Sequence, residues 1–134
     1  MVRYLVAYAA VLVAFLAIDM VWLLLVAREF YRSRLGALMA PEPQLAPAAA
    51  FYALFALGLV IFAVSPAMRE GSWRAALTNG LMFGFFAYAT YDLTNLATLR
   101  DWSQSLSIVD MVWGATLSGV CATIGYFAAS AIQA

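Results

Sequence analysis

The sequence predicts an all-α polytopic membrane protein, four transmembrane helices in a bundle with a short interfacial helix after the first. Three observations predict it. Hydrophobic residues fill 66% of the 134 positions and charged ones 10%, with a mean hydropathy of +0.91, against about 45–50% and about 25% in soluble domains. The apolar residues gather into four runs, each near the roughly 20 residues that cross about 30 Å of hydrocarbon as a helix. Proline, glycine and polar residues mark the breaks between the runs. A single domain over residues 1–134 follows, with helices at 4–27, 46–64, 73–99 and 106–131.

Helix 1 spans Tyr4–Ala27. Arg3 before an apolar run resembles a secretory leader, but about 24 apolar residues exceed the roughly 7–15 of a leader's apolar region, and Ala37-Leu38-Met39-Ala40 is not an A-x-A site. Arg28–Ala40 reads either as a solvated extension or as an interfacial helix, with Tyr31, Leu35 and Leu38 toward lipid and Arg28, Arg32 and Arg34 reaching outward. Helix 2 follows Pro41, Pro43 and Pro47 and is expected to stop at Ser65-Pro66. Its aromatic and branched residues face every direction. Helix 3 starts after Gly71-Ser72, a turn and N-cap, and helix 4 after the polar stretch Arg100–Ser105.

The inventory excludes much chemistry. The seven basic residues are all arginine and there is no histidine, which removes imidazole relays and metal ligands, lysine Schiff bases and the phosphate-loop lysine. Seven acids balance the arginines, and no basic run offers a nucleic-acid footprint. The lone Cys121 reads as packing and has no intrachain partner. These residues identify no cofactor.

Calling the N-terminal end side A, Arg3, Arg69 and Arg74 fall on side A and Arg28, Arg32, Arg34 and Arg100 on side B. That bias leans slightly toward a cytoplasmic side B and also permits dual topology.

The informative residues are Asp19, Asp92 and Asp110, each inside an apolar segment, where an ionised aspartate costs about 2.5–3.5 kcal/mol at a helix centre. The helical rise puts them about 22, 28 and 24 Å from side A, one level on three helices. At about 100° per residue, Tyr8, Phe15, Asp19, Trp22 and Val26 form one stripe. Asp110 shares a face with Trp113, Gly114, Leu117, Cys121 and Gly125, and Tyr88, Asp92 and Asn95 share a side of helix 3. Gly80 and Gly84 form a GxxxG pattern that, with Gly114, permits close helix packing. The expected site is a pocket walled by Trp22, Trp113 and Tyr88, floored by carboxylates and open toward side B.

A purely structural reading stands beside it. Asp110 near a helix start meets free N–H groups, and Asp92 pairs with Asn95 or reaches Arg100. With no basic residue in the spans except Arg74 at an end, the acids must be hydrated, protonated, hydrogen-bonded or bound to a cation. Close carboxylates can share a proton. The recurrence of Asp19-Met20-Val21-Trp22 as Asp110-Met111-Val112-Trp113 falls late in one helix and early in the other. It reads as one local demand met twice rather than as an inverted transporter repeat.

The stretches Ala17–Trp22, Ala89–Leu99 (with Tyr91-Asp92-Leu93-Thr94-Asn95-Leu96-Ala97-Thr98-Leu99) and Val109–Gly114 resemble a bacterial family of small four-helix membrane proteins known as a domain of unknown function. The resemblance covers nearly the whole chain. It implies the fold and a multi-pass place in the bacterial inner membrane, and it assigns no activity, substrate or catalytic residue.

Three functions fit these residues. One is a small transporter-like protein, dimeric because four helices leave little room for a pathway, in which Asp19 exchanges a proton or cation while Trp22, Trp113 and Tyr88 contact an organic substrate. Another is an accessory or assembly subunit of a larger membrane complex or lipid pathway, with the Gly80/Gly84 face on a partner. The third is a membrane enzyme holding magnesium or calcium on its aspartates and acting on a lipid. The sequence favours binding over catalysis.

Overall fold

The computed structural model describes residues 1–132, and every regular element among them is helical. The first long helix comprises α1 (Val2–Val21) and a π-helical turn (Trp22–Val26) closed by the Ala27 N–H on the Trp22 carbonyl at 2.7 Å. A break at Ala27 leads to α2 (Arg28–Leu35) and a 3₁₀ turn, Gly36–Leu38. The π turn admits one extra residue into the helical ladder. It turns Val26 out of the expected stripe, to 67% exposure, while Ala7, Val11, Phe15 and Asp19 hold the buried face.

The second long helix runs past the expected stop at Ser65-Pro66. It comprises α3 (Leu45–Leu59), a second π turn (Val60–Val64) and α4 (Ser65–Glu70). Proline has no N–H and its ring crowds the carbonyl four residues back. The wider turn before Pro66 absorbs that mismatch, so the chain bends its ladder instead of ending it. The helix stops at Gly71, whose φ of 68° is the left-handed conformation glycine adopts without strain.

The Ser72 hydroxyl accepts the Ala75 N–H and starts α5 (Trp73–Thr98). The Ser103 hydroxyl accepts the Leu106 N–H and starts α6 (Gln104–Ser130). Both are N-caps that fill otherwise unpaired donors. Among the described residues, three helices are long and apolar enough to cross a membrane: Val2–Val26, Leu45–Glu70 and Gln104–Ser130. Their outward faces are apolar, with Leu54 and Val112 at 67% and 63% exposure, as a lipid-facing surface requires.

Helix α6 is the centre of the molecule and packs against both α1 and α5. The Arg3 guanidinium donates to the Ala129 carbonyl at one end of the α1–α6 pair, and the Trp113 indole to Asp19 near the other, so these two helices run antiparallel. Between α5 and α6 the approach is set by glycine. A Cβ at Gly80 would meet the Ser118 carbonyl at 2.7 Å, one at Gly84 would overlap Ser118, and one at Gly114 would overlap the Tyr88 ring. Gly80 and Gly84 therefore lie inside the chain against α6, and the partner-facing role expected of them has no surface to act through.

The core divides along its length. Ala7, Val11, Leu59, Ala63, Val64, Cys121 and Ala129 fill the side-A half with apolar packing. The buried carboxyls lie toward side B.

Candidate functional site

Asp19, Asp92 and Asp110 are 6%, 0% and 8% exposed, and each solves its burial differently. Asp19 Oδ1 accepts the Trp113 indole N–H at 3.0 Å and Oδ2 accepts the Tyr52 hydroxyl at 2.6 Å. Asp110 Oδ1 accepts the Tyr31 hydroxyl at 2.6 Å, and that hydroxyl accepts the Trp22 indole N–H at 3.3 Å. Asp92 faces Asp110, and neither of its oxygens meets a hydrogen-bond donor. The expected pairings of Asp92 with Asn95 or Arg100 do not form. Nor is Asp110 a capping carboxylate: Ser103 caps α6, and Asp110 lies beyond the first turn.

The indoles of Trp22 and Trp113 stack with centroids 4.2 Å apart and planes 10° from parallel. The two Asp-Met-Val-Trp segments are thereby paired reciprocally. Each tryptophan serves the aspartate of the other segment, Trp113 directly and Trp22 through Tyr31. On antiparallel helices, a segment late in one and a segment early in the other lie at one level, so the recurrence does meet one demand twice.

A cavity of about 520 Å³ opens beside these groups. Asp19, Tyr88, Asp110 and Trp113 line it, as do Leu23, Tyr31, Phe51, Tyr52, Phe55, Ala87 and Tyr91. Trp22 stands behind Trp113 and Asp92 behind Asp110, and Asn95 is absent from the lining. Asp19, Asp92 and Asp110 do not close on one metal position, nor does any other such cluster among the described residues.

Sequence reasoning missed Tyr31 and Tyr52. Tyr31 stands among arginines, a setting that points it toward lipid, but the bend at Ala27 folds α2 back so that its hydroxyl reaches Asp110. Burial, and then the Asp110 carboxylate, push the Tyr31 hydroxyl well above its ordinary pKa. Tyr52 carried a usable signal, since a phenol in an apolar helix needs a partner for its hydroxyl.

The chain belongs to the family of predicted membrane proteins DUF2177, whose profile matches residues 4–127. No curated protein and no solved structure matches it. It is a membrane-embedded protein with apolar helices, of a family of unknown function.

Proposed function

We propose that this protein spans a bacterial inner membrane four times and binds a small organic cation in the side-B cavity, as the recognition step of transport. The lining carries the proposal. Seven aromatic side chains and two carboxylates surround about 520 Å³, with no basic residue among them, and rings plus negative charge form the environment that attracts organic ammonium groups. The apolar packing of the side-A half closes the cavity below. Asp19, expected to exchange its charge partner, already has a donor on each oxygen; Asp110, held by a single donor, is the carboxylate assigned to the ligand.

The fourth span is α5. Its 26 residues are enough for a crossing, but Arg74, Asn79, Asp92 and Asn95, and to a smaller extent its threonines, lower its hydropathy. Thr90, Thr94 and Thr98 each donate their hydroxyl to the carbonyl four residues back, on Phe86, Thr90 and Thr94. A hydroxyl satisfied by its own helix no longer demands water. Helix α2, with Arg28, Arg32 and Arg34 exposed, then lies at the side-B interface.

Binding is tested with phenyltrimethylammonium against its neutral isostere tert-butylbenzene, read by tryptophan fluorescence in lipid nanodiscs. The cation is expected to saturate with at least about tenfold higher affinity, and Asp110→Asn to abolish that preference. Equal binding of the two, or none, removes the proposal.

A further inference from the structure

We propose that Asp92 and Asp110 hold one proton between them, and that a cation entering the cavity expels it. The second half rests on the cation reading above; the first stands alone. Asp92 is fully buried and both its oxygens lack a donor. The group that faces it is the Asp110 carboxyl. An unpaired carboxylate in such a place is among the most costly arrangements a fold can contain.

The surroundings offer no other remedy. Around the pair stand Tyr31 from α2, Tyr88 and Tyr91 from α5, and the Asp19 carboxylate from α1. Tyr31 already gives its proton to Asp110, and both oxygens of Asp19 are taken by Trp113 and Tyr52. The one ion pair among the described residues joins Arg32 to Glu29 on the exposed face of α2. Two adjacent carboxylates with no cation repel. A single proton converts that repulsion into a hydrogen bond and gives Asp92 the partner it lacks.

Asp110 also lines the cavity, whereas Asp92 lies behind it. A cation beside Asp110 favours the doubly ionised pair, so the singly protonated pair with its charge of −1 becomes −2, the cation adds +1, and one proton leaves to solvent. Charge balances without any further reactant. By reciprocity, acid weakens cation binding by the factor with which the cation weakens proton binding.

The experiment uses the full chain in lipid nanodiscs and has two arms. In the first, without any cation, infrared spectra at neutral pH are expected to show a protonated-carboxyl stretch that shifts in deuterium oxide and is missing from both Asp92→Asn and Asp110→Asn. Absence of that band from the parent, or its survival in both variants, overturns the proton site. The amide introduced by Asp92→Asn can donate to Asp110, so this variant is expected to keep its circular dichroism and elution profile; Asp110→Asn gives the same readout independently.

In the second arm, phenyltrimethylammonium is titrated into weakly buffered protein with a pH dye. The expected result is release of about one proton per cation bound, with affinity falling about tenfold per unit of acidification. Asp92→Asn should bind the cation and release no proton. Cation binding by the parent with no release overturns the coupling and leaves the cation reading intact. Failure of the cation to bind removes that reading and the coupling together, while the infrared band still decides the proton site.

Discussion

Each buried carboxyl is held by the donors within its reach, and the three aspartates differ in that count. Asp19→Asn removes one acceptor from a pair of donors, leaving either the Tyr52 hydroxyl or the Trp113 indole unpaired. A loss of about 1–3 kcal/mol is expected, read as a lower unfolding midpoint in detergent. Asp92→Asn acts differently, since its amide donates to Asp110 in place of the shared proton, and its midpoint should equal or exceed the parent's. Tyr31→Phe should cost about 1–2 kcal/mol and speed amide exchange along α2. Burial and Asp110 raise the Tyr31 pKa in the folded state above its unfolded value of 10.0. Its contribution is therefore complete below about pH 10 and lost as pH rises through the higher folded value. Ultraviolet titration should show this tyrosine ionising after its exposed neighbours, and the delay should shorten in Asp110→Asn, where burial alone remains. The aspartates stood out in the sequence because charge is rare in apolar runs. Tyr31 and Tyr52 did not, because a tyrosine fits lipid, interface and core alike until its hydroxyl's partner is known.

The serine cap at Ser72 was legible, since Gly71-Ser72 precedes an apolar run, whereas Ser103 lay among the polar residues of Arg100–Ser105 and the helix it caps starts at Gln104, two residues before the expected Leu106. The Gly80–Gly84 spacing likewise announced a close crossing, although periodicity alone did not say whether the facing surface was α6 or another chain. The second helix was legible only to Val64, because Pro66 is a stop by local rules and π turns leave no pattern in composition. At the α5–α6 seam, Gly114→Ala forces its methyl into the Tyr88 ring. The expected destabilisation is about 1–3 kcal/mol from overpacking, and the displaced ring narrows the cavity, so cation affinity should fall with stability. Thermal unfolding and the fluorescence titration check the two effects on one sample.

Across the whole molecule, topology decides the functional reading. With four crossings, Ser33 and Asp101 emerge on one side and Glu70 on the other. In a Cys121→Ser background, Ser33→Cys and Asp101→Cys should react with an impermeant maleimide from the same face of sealed vesicles, and Glu70→Cys only from the opposite face. Labelling of Asp101→Cys together with Glu70→Cys would mean that α5 does not cross. The three apolar spans were visible in the order of residues alone, whereas the cavity depends on how α1, α3, α5 and α6 meet, a relation no single run contains. The indole stack has an optical consequence. Trp22 and Trp113 are two of the four tryptophans, and their parallel rings 4.2 Å apart couple their electronic transitions into a pair of circular-dichroism bands of opposite sign. Because one ring comes from the first long helix and the other from the last, the couplet exists only when the ends of the chain have met, and assembly in a bilayer can be followed without any label.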